Sequence, residues 1–96
     1  MTPLHLPQEL THNRAGDWLK SLVFTMQQEP GRQITADASR LVHFDSSALA
    51  VLLACRREAL AVGKSFGVAH MPDKLRQLAV VYGVSDLLLS VPGAQD

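Results

Sequence analysis

The sequence predicts an α/β fold, and three observations predict it. Apolar residues recur at helical spacing in three separate stretches. Between these stretches, 33–40 and 65–71 carry the side-to-side patterning of strands. Helices and strands therefore alternate, the order that places helices over a small sheet. Ninety-six residues with 47% apolar content suit a single domain, residues 1–96, with one modest core.

The opening is sparse. Leu4, His5 and Leu6 form a short strand between Pro3 and Pro7, positions at which proline tolerates a sheet. From Asn13 to Glu29, Ala15, Trp18, Leu19, Leu22, Val23 and Met26 fall on one helical stripe. Thr11 or Asn13 is placed to cap this helix, Pro30-Gly31 ends it, and Trp18 at helical spacing belongs to the core. Next comes a strand in which Ile34, Ala36 and Ala38 face one way and Thr35, Asp37 and Ser39 the other.

The central helix opens on "HFDSSALAVLL", residues 43–53. Asp45 and Ser46 are both preferred N-cap types, since a side-chain oxygen there accepts the free N–H groups of the first turn. The helix runs to about Val62, where Gly63 is a natural residue to follow its end. At about 100° per residue, Leu49, Leu53 and Leu60 gather on one side with Leu52 nearby, and this side is expected to face the core. Ser46, Ala50, Ala54, Arg57 and Ala61 form a second strip of small residues headed by hydroxyls. No charge follows Asp45 until Arg56, so the first two and a half turns lack a strongly solvated face. A helix apolar on most sides is covered on more than one of them. Either another helix of this chain, such as the one bearing Trp18, covers the strip, or a partner protein docks there.

Beyond Gly63, "SFGVAHM" reads as a strand with Phe66 and Val68 on one face. Pro72 suits the first turn of a further helix whose stripe, Leu75, Leu78, Ala79 and Tyr82, stops at Gly83. A short apolar segment follows from Leu87 to Val91.

Several functions are excluded by what the chain lacks. Nine basic residues balance nine acidic ones without a run of either sign, so there is no electrostatic footprint for nucleic acid or a lipid surface. One cysteine, Cys55, forms no internal disulfide and reads as a small core residue. The longest apolar run, Ala48 to Cys55, is too short to enter and cross a bilayer, and the N-terminus carries no signal-peptide pattern, so a cytoplasmic location is expected. No glycine-rich phosphate loop, nucleophile elbow or metal-ligand spacing appears; no catalytic residue, cofactor or metal is expected. His43, three residues before Ser46, reads as an exposed turn or strand-end histidine.

The order "ITADASRL", "VHFDSSALAVLL", "SFGVAH", "MPDKLRQLAVVYGV" and "SDLLLSV" resembles the STAS domain over roughly residues 4 to 91. The resemblance implies a small mixed β-sheet covered by three to four helices. In anti-sigma factor antagonists of this fold the motif is Asp-Ser-Ser-Gly-Leu and its first Ser is phosphorylated, a role that maps onto Ser46. The chain is more similar to the MlaB-type STAS subunit of the Mla phospholipid ABC transporter. That likeness lies in Asp37, Ser39 and Arg40, in Leu78, Ala79 and Tyr82, and in Asp86, Leu87 and Leu88.

In that family a non-catalytic cytoplasmic subunit binds the transporter's ATPase through the start of the central helix. The resemblance implies a partner surface comprising Asp45, Ser46, Ser47, Ala50, Ala54 and Arg57. The alternative partner is an anti-sigma factor kinase acting on Ser46, whose phosphorylation would add charge to an apolar docking surface and switch it off. Two departures stand out. Only ten residues precede Thr11, so the family's N-terminal hairpin is shortened, and Ala48 stands where glycine is common, narrowing the space beside the hydroxyls. A shortened hairpin leaves a sheet edge open, from which a weak homodimer or dependence on the partner is expected.

Overall fold

The computed structural model describes residues 4–88. Strands β1 (Leu4–His5) and β2 (Glu9–Leu10) precede helix α1 (Ala15–Gln28); β3 (Gln33–Asp37) and β4 (His43–Phe44) precede α2 (Ser46–Ala61). After these come β5 (Ser65–Ala69), α3 (Asp73–Val81) and a 3-10 turn at Ser85–Leu88. The α/β class is as the sequence predicts.

The order of the three-stranded sheet is β1-β3-β5, and β2 pairs with β4 in a second ladder. Where a mixed sheet was expected, every ladder among the described residues is parallel. Residues 4–10 also form no hairpin with one another. Leu4 lies opposite Ala36 and His5 opposite Asp37, whereas Glu9 lies opposite His43 and Leu10 opposite Phe44. Residues 4–10 thus run as one extended edge segment beside 33–44, interrupted near Pro7, which has no N–H to donate. The partner segment takes up two extra residues between the ladders. They fit into a turn in which Asp37 Oδ1 accepts the Ser39 N–H at 2.9 Å and the Leu41 N–H reaches the Ala38 carbonyl at 3.1 Å. Leu6 and Leu10, both fully buried, anchor the edge segment on the core.

Helix α1 starts at Ala15 without the side-chain cap expected from Thr11 or Asn13. Thr11 contributes its backbone carbonyl to the Arg14 N–H instead, so the entry is a turn rather than a capped start. Leu22 and Met26 are buried, with Trp18, Leu19 and Val23 partly buried against the core. Helices α2 and α3 both end in the same way. Gly63 N–H bonds the Leu60 carbonyl and Lys64 N–H the Ala59 carbonyl; Gly83 and Val84 repeat this pattern on Val80 and Ala79. Gly63 and Gly83 have φ of 77° and 73°, the left-handed conformation that this helix ending requires and glycine adopts without strain.

The core face of α2 differs from the expectation. Ala48, Leu49, Val51, Leu52, Cys55 and Ala59 are buried, while Leu53 is half-buried and Leu60 is 49% exposed. The inward arc is centred on the small residues because α2 lies against both α1 and β5, and small side chains permit close approach. Ala48 is fully buried, so its Cβ points into the core and does not narrow the space beside the hydroxyls. In α3, Leu75 and Ala79 are buried as expected, but Tyr82 is 58% exposed.

Candidate functional site

The start of α2 is built by Asp45. Its backbone is extended, and its Oδ1 accepts the Ser47 N–H at 2.8 Å, the N-cap bond that the sequence offered to either Asp45 or Ser46. Its other oxygen, Oδ2, accepts the His12 N–H at 3.2 Å and lies 3.6 Å from His12 Nδ1. The Ser47 N–H above all, and His12 with it, hold the Asp45 carboxyl below its ordinary value against a smaller opposing effect of desolvation. With the cap supplied by Asp45, Ser46 is the first helical residue and is exposed, its hydroxyl taking no part in the cap.

The six residues of the expected partner surface do not share one groove. Ser46 and Ala50 line an open groove of about 280 Å³ with Leu49, Leu53, Tyr82 and Val84. Ala54 and Arg57 line a different one on the other side of the strip, facing α1. Asp45 and Ser47 form the capped entry above them. The small-residue strip is therefore a ridge between two grooves. Ser46, Ala50, Arg57 and Ala61 are exposed, and Ala54 is half-buried. Helix α1 packs beside α2 without closing over the ridge.

Tyr82 is a residue that sequence reasoning misplaced. The sequence grouped it with Leu75 and Ala79 on the α3 stripe, but the glycine-terminated end of α3 turns Tyr82 and Val84 toward α2 to form the far wall of the Ser46 groove. Gly83 directly after an apolar stripe was the signal that could have found it.

A second polar cluster lies at the ends of the parallel strands. His5 Nδ1 is 3.5 Å from Asp37 Oδ2. Burial pushes the Asp37 carboxyl up, but the Ser39 N–H and hydroxyl with the nearby His70 and His5 outweigh it and leave it lowered. This is what the Asp37, Ser39 and Arg40 pattern builds: a turn closed by a carboxylate. Cys55 is fully buried, and burial followed by the nearby Glu58 pushes its thiol up to about 12, which suits packing and not nucleophilic chemistry. Among the described residues no group of three or more His, Cys, Asp or Glu side chains is placed to hold a metal ion, and no helix is long and apolar enough to cross a membrane.

This layering of short parallel strands and helices, with a capped helix start left open, defines a STAS-type fold. The anti-sigma factor antagonist SpoIIAA, solved in its unphosphorylated form, shares it with a TM-score of 0.70 at 20% identity, over 93% of this chain and 77% of that one. The chain belongs to the MlaB STAS domain family, whose model matches residues 2–90. No curated protein sequence matches it. STAS domains of these families act by binding partner proteins.

Proposed function

We propose that this chain is the non-catalytic STAS subunit of a phospholipid ABC transporter that maintains outer-membrane lipid asymmetry. It works on the cytoplasmic side and is peripheral to the membrane, where it binds the ATPase subunit and sets its activity. The contact runs through the start of α2. The observation that carries this reading is the open apolar groove beside Ser46 and Ala50, walled by Tyr82 and Val84 and left open by the described residues. The match to the MlaB family over residues 2–90 supports the transporter setting.

The experiment is a pull-down of the cognate ATPase with the full chain. Ser46→Arg and Ala50→Arg place a long cation in the groove at exposed positions, so the fold is retained while docking is blocked. Full ATPase binding by both variants would remove the surface assignment.

A second reading has its own support in the exposed Ser46 hydroxyl and the likeness to SpoIIAA: an anti-sigma factor antagonist switched by a kinase at Ser46. A phosphate there would stand at the positive end of the α2 dipole. Incubation with an anti-sigma kinase and ATP then yields a species heavier by one phosphate, and Ser46→Ala yields none. If the chain stays unmodified while the ATPase co-purifies, the transporter reading stands alone.

A further inference from the structure

The chain that enters α2 is held in place by residues 8–12. Among the described residues β4 pairs with β2 alone, outside the three-stranded sheet. The Gln8 carbonyl accepts both the Val42 N–H at 2.8 Å and the His43 N–H at 3.0 Å. Leu10, fully buried, then lies opposite Phe44. Asp45 Oδ2 accepts the His12 N–H, while Oδ1 of the same carboxylate caps α2 through the Ser47 N–H. The steps from Val42 to Asp45 are thus met by steps from Gln8 to His12, and the last falls one residue before Ser46.

Buried Ala48, Leu49, Val51 and Leu52 fix the body of α2 on the core. They do not fix the carboxylate at its head. A carboxylate gripped by N–H groups at both oxygens keeps one orientation, whereas one gripped at a single oxygen can turn away and leave the first helical turn uncapped. We infer that residues 8–12 are a strap that regulates docking at the Ser46 groove, with the His12 backbone N–H as its positioning group. It orders the Asp45 carboxylate, and through it the first turn of α2, without lining the groove itself. A frayed first turn presents Ser46 in several orientations, and apparent affinity falls with the share of chains that hold the ordered one. The inference rests on the function proposed above for that surface.

A turn in the chain makes the test clean. The Arg14 N–H bonds the Thr11 carbonyl at 3.1 Å, which puts His12 at the second position of a four-residue turn, where proline is favoured. His12→Pro therefore deletes the donor and keeps the turn. His12→Ala keeps the donor and deletes only the exposed imidazole, whose Nδ1 lies 3.6 Å from Asp45 Oδ2. In His12→Pro, amide exchange at Ser47 followed by NMR should quicken about fivefold or more, and the dissociation constant for the cognate ATPase should rise by a similar factor. His12→Ala should match the parent chain in both. Should the proline disturb the segment, an oxidised Glu9→Cys/His43→Cys pair, placed at Cα partners of the β2–β4 ladder, should return most of the lost affinity, and reductant should remove it again. Parent-like Ser47 exchange or parent-like affinity in His12→Pro, losses in His12→Ala as large as in His12→Pro, or no recovery on oxidation would overturn the inference. Ser46→Arg, run beside them, separates it from the function it rests on. Loss of binding in Ser46→Arg with none in His12→Pro removes the strap alone, whereas full binding by Ser46→Arg removes the docking surface and the strap with it.

Discussion

The carboxylate of Asp45 accepts the backbone N–H of His12 at 3.2 Å, joining segments 33 positions apart in sequence. The same side chain caps α2 through the Ser47 N–H, so one residue fixes both the start of the central helix and the chain that leads into α1. Removing the carboxylate should loosen both. Asp45→Ala is expected to lower the urea midpoint clearly, and Asp45→Asn, which keeps an acceptor for the cap, by less. The pH dependence has a definite sign. The folded carboxyl lies below the ordinary 3.8, so its stabilisation is fully present above that value and lost as pH falls through the folded value. The gap between the parent chain and Asp45→Asn should therefore close on acidification below about pH 4. A gap that widens there would contradict the assignment.

The inward arc of α2 predicts a contrast between two leucines that the sequence placed on one side of the helix. Leu52 is fully buried and Leu60 is 49% exposed. Leu52→Ala removes core contacts and leaves a cavity, at a cost of about 2–5 kcal/mol in denaturant unfolding. Leu60→Ala should fall within about 0.5 kcal/mol of the parent chain. Comparable losses at the two positions would restore the arc expected from the leucines.

The periodicity of apolar residues located all three helices and strands β3 and β5, because each carries several residues of its period, whereas β1 was placed by the prolines that flank Leu4, His5 and Leu6. Strands β2 and β4 escaped it. Two residues long, they have no period to detect and exist only because Leu10 is buried in the core and residues 9–10 lie beside 43–44. The core face of α2 was misjudged for a related reason. Weighting residues by size favours leucines, whereas close packing against α1 and β5 selects Ala48, Cys55 and Ala59. At the candidate site, Asp45 and Ser46 were legible from cap chemistry, which depends on neighbours in sequence. Tyr82 was not, because its wall of the groove depends on how α3 ends beside α2.

Tyr82 should matter for docking and little for folding. At 58% exposure its truncation to alanine leaves the core untouched, so unfolding free energy should change by about 0.5 kcal/mol or less. If the groove beside Ser46 receives the ATPase, Tyr82→Ala should weaken that complex by about tenfold, as aromatic residues at such sites do. Titration of the ATPase by calorimetry measures it, and unchanged affinity would remove Tyr82 from the contact.

Lys64 secures the loop between α1 and β3. Its Nζ donates to the carbonyl of Glu29, which the end of α1 leaves free, and to that of Gly31 in the loop beyond, the latter at 2.8 Å. Lys64→Met keeps the aliphatic stem and removes both bonds, so a loss of about 1–3 kcal/mol is expected in urea unfolding. A chain as stable as the parent would mean that solvent serves those carbonyls equally well.

Cys55 makes the last prediction, in which burial sets both reactivity and alkaline stability. Fully enclosed, with its thiol pushed up to about 12 by burial and then by Glu58, it remains protonated where an unfolded chain's thiol begins to ionise at 9.0. At pH 8 a disulfide reagent should label it only as fast as the fold opens, so labelling should accelerate with urea in step with unfolding. Above pH 9 the unfolded state loses the proton first, and the folded state therefore becomes relatively less favourable as pH rises toward 12. The slope contributed by this one group is at most about 1.4 kcal/mol per pH unit, and Cys55→Ala should remove it. Rapid labelling of the native chain, or an alkaline profile unchanged in Cys55→Ala, would show that the thiol is not enclosed as the packing of α2 requires.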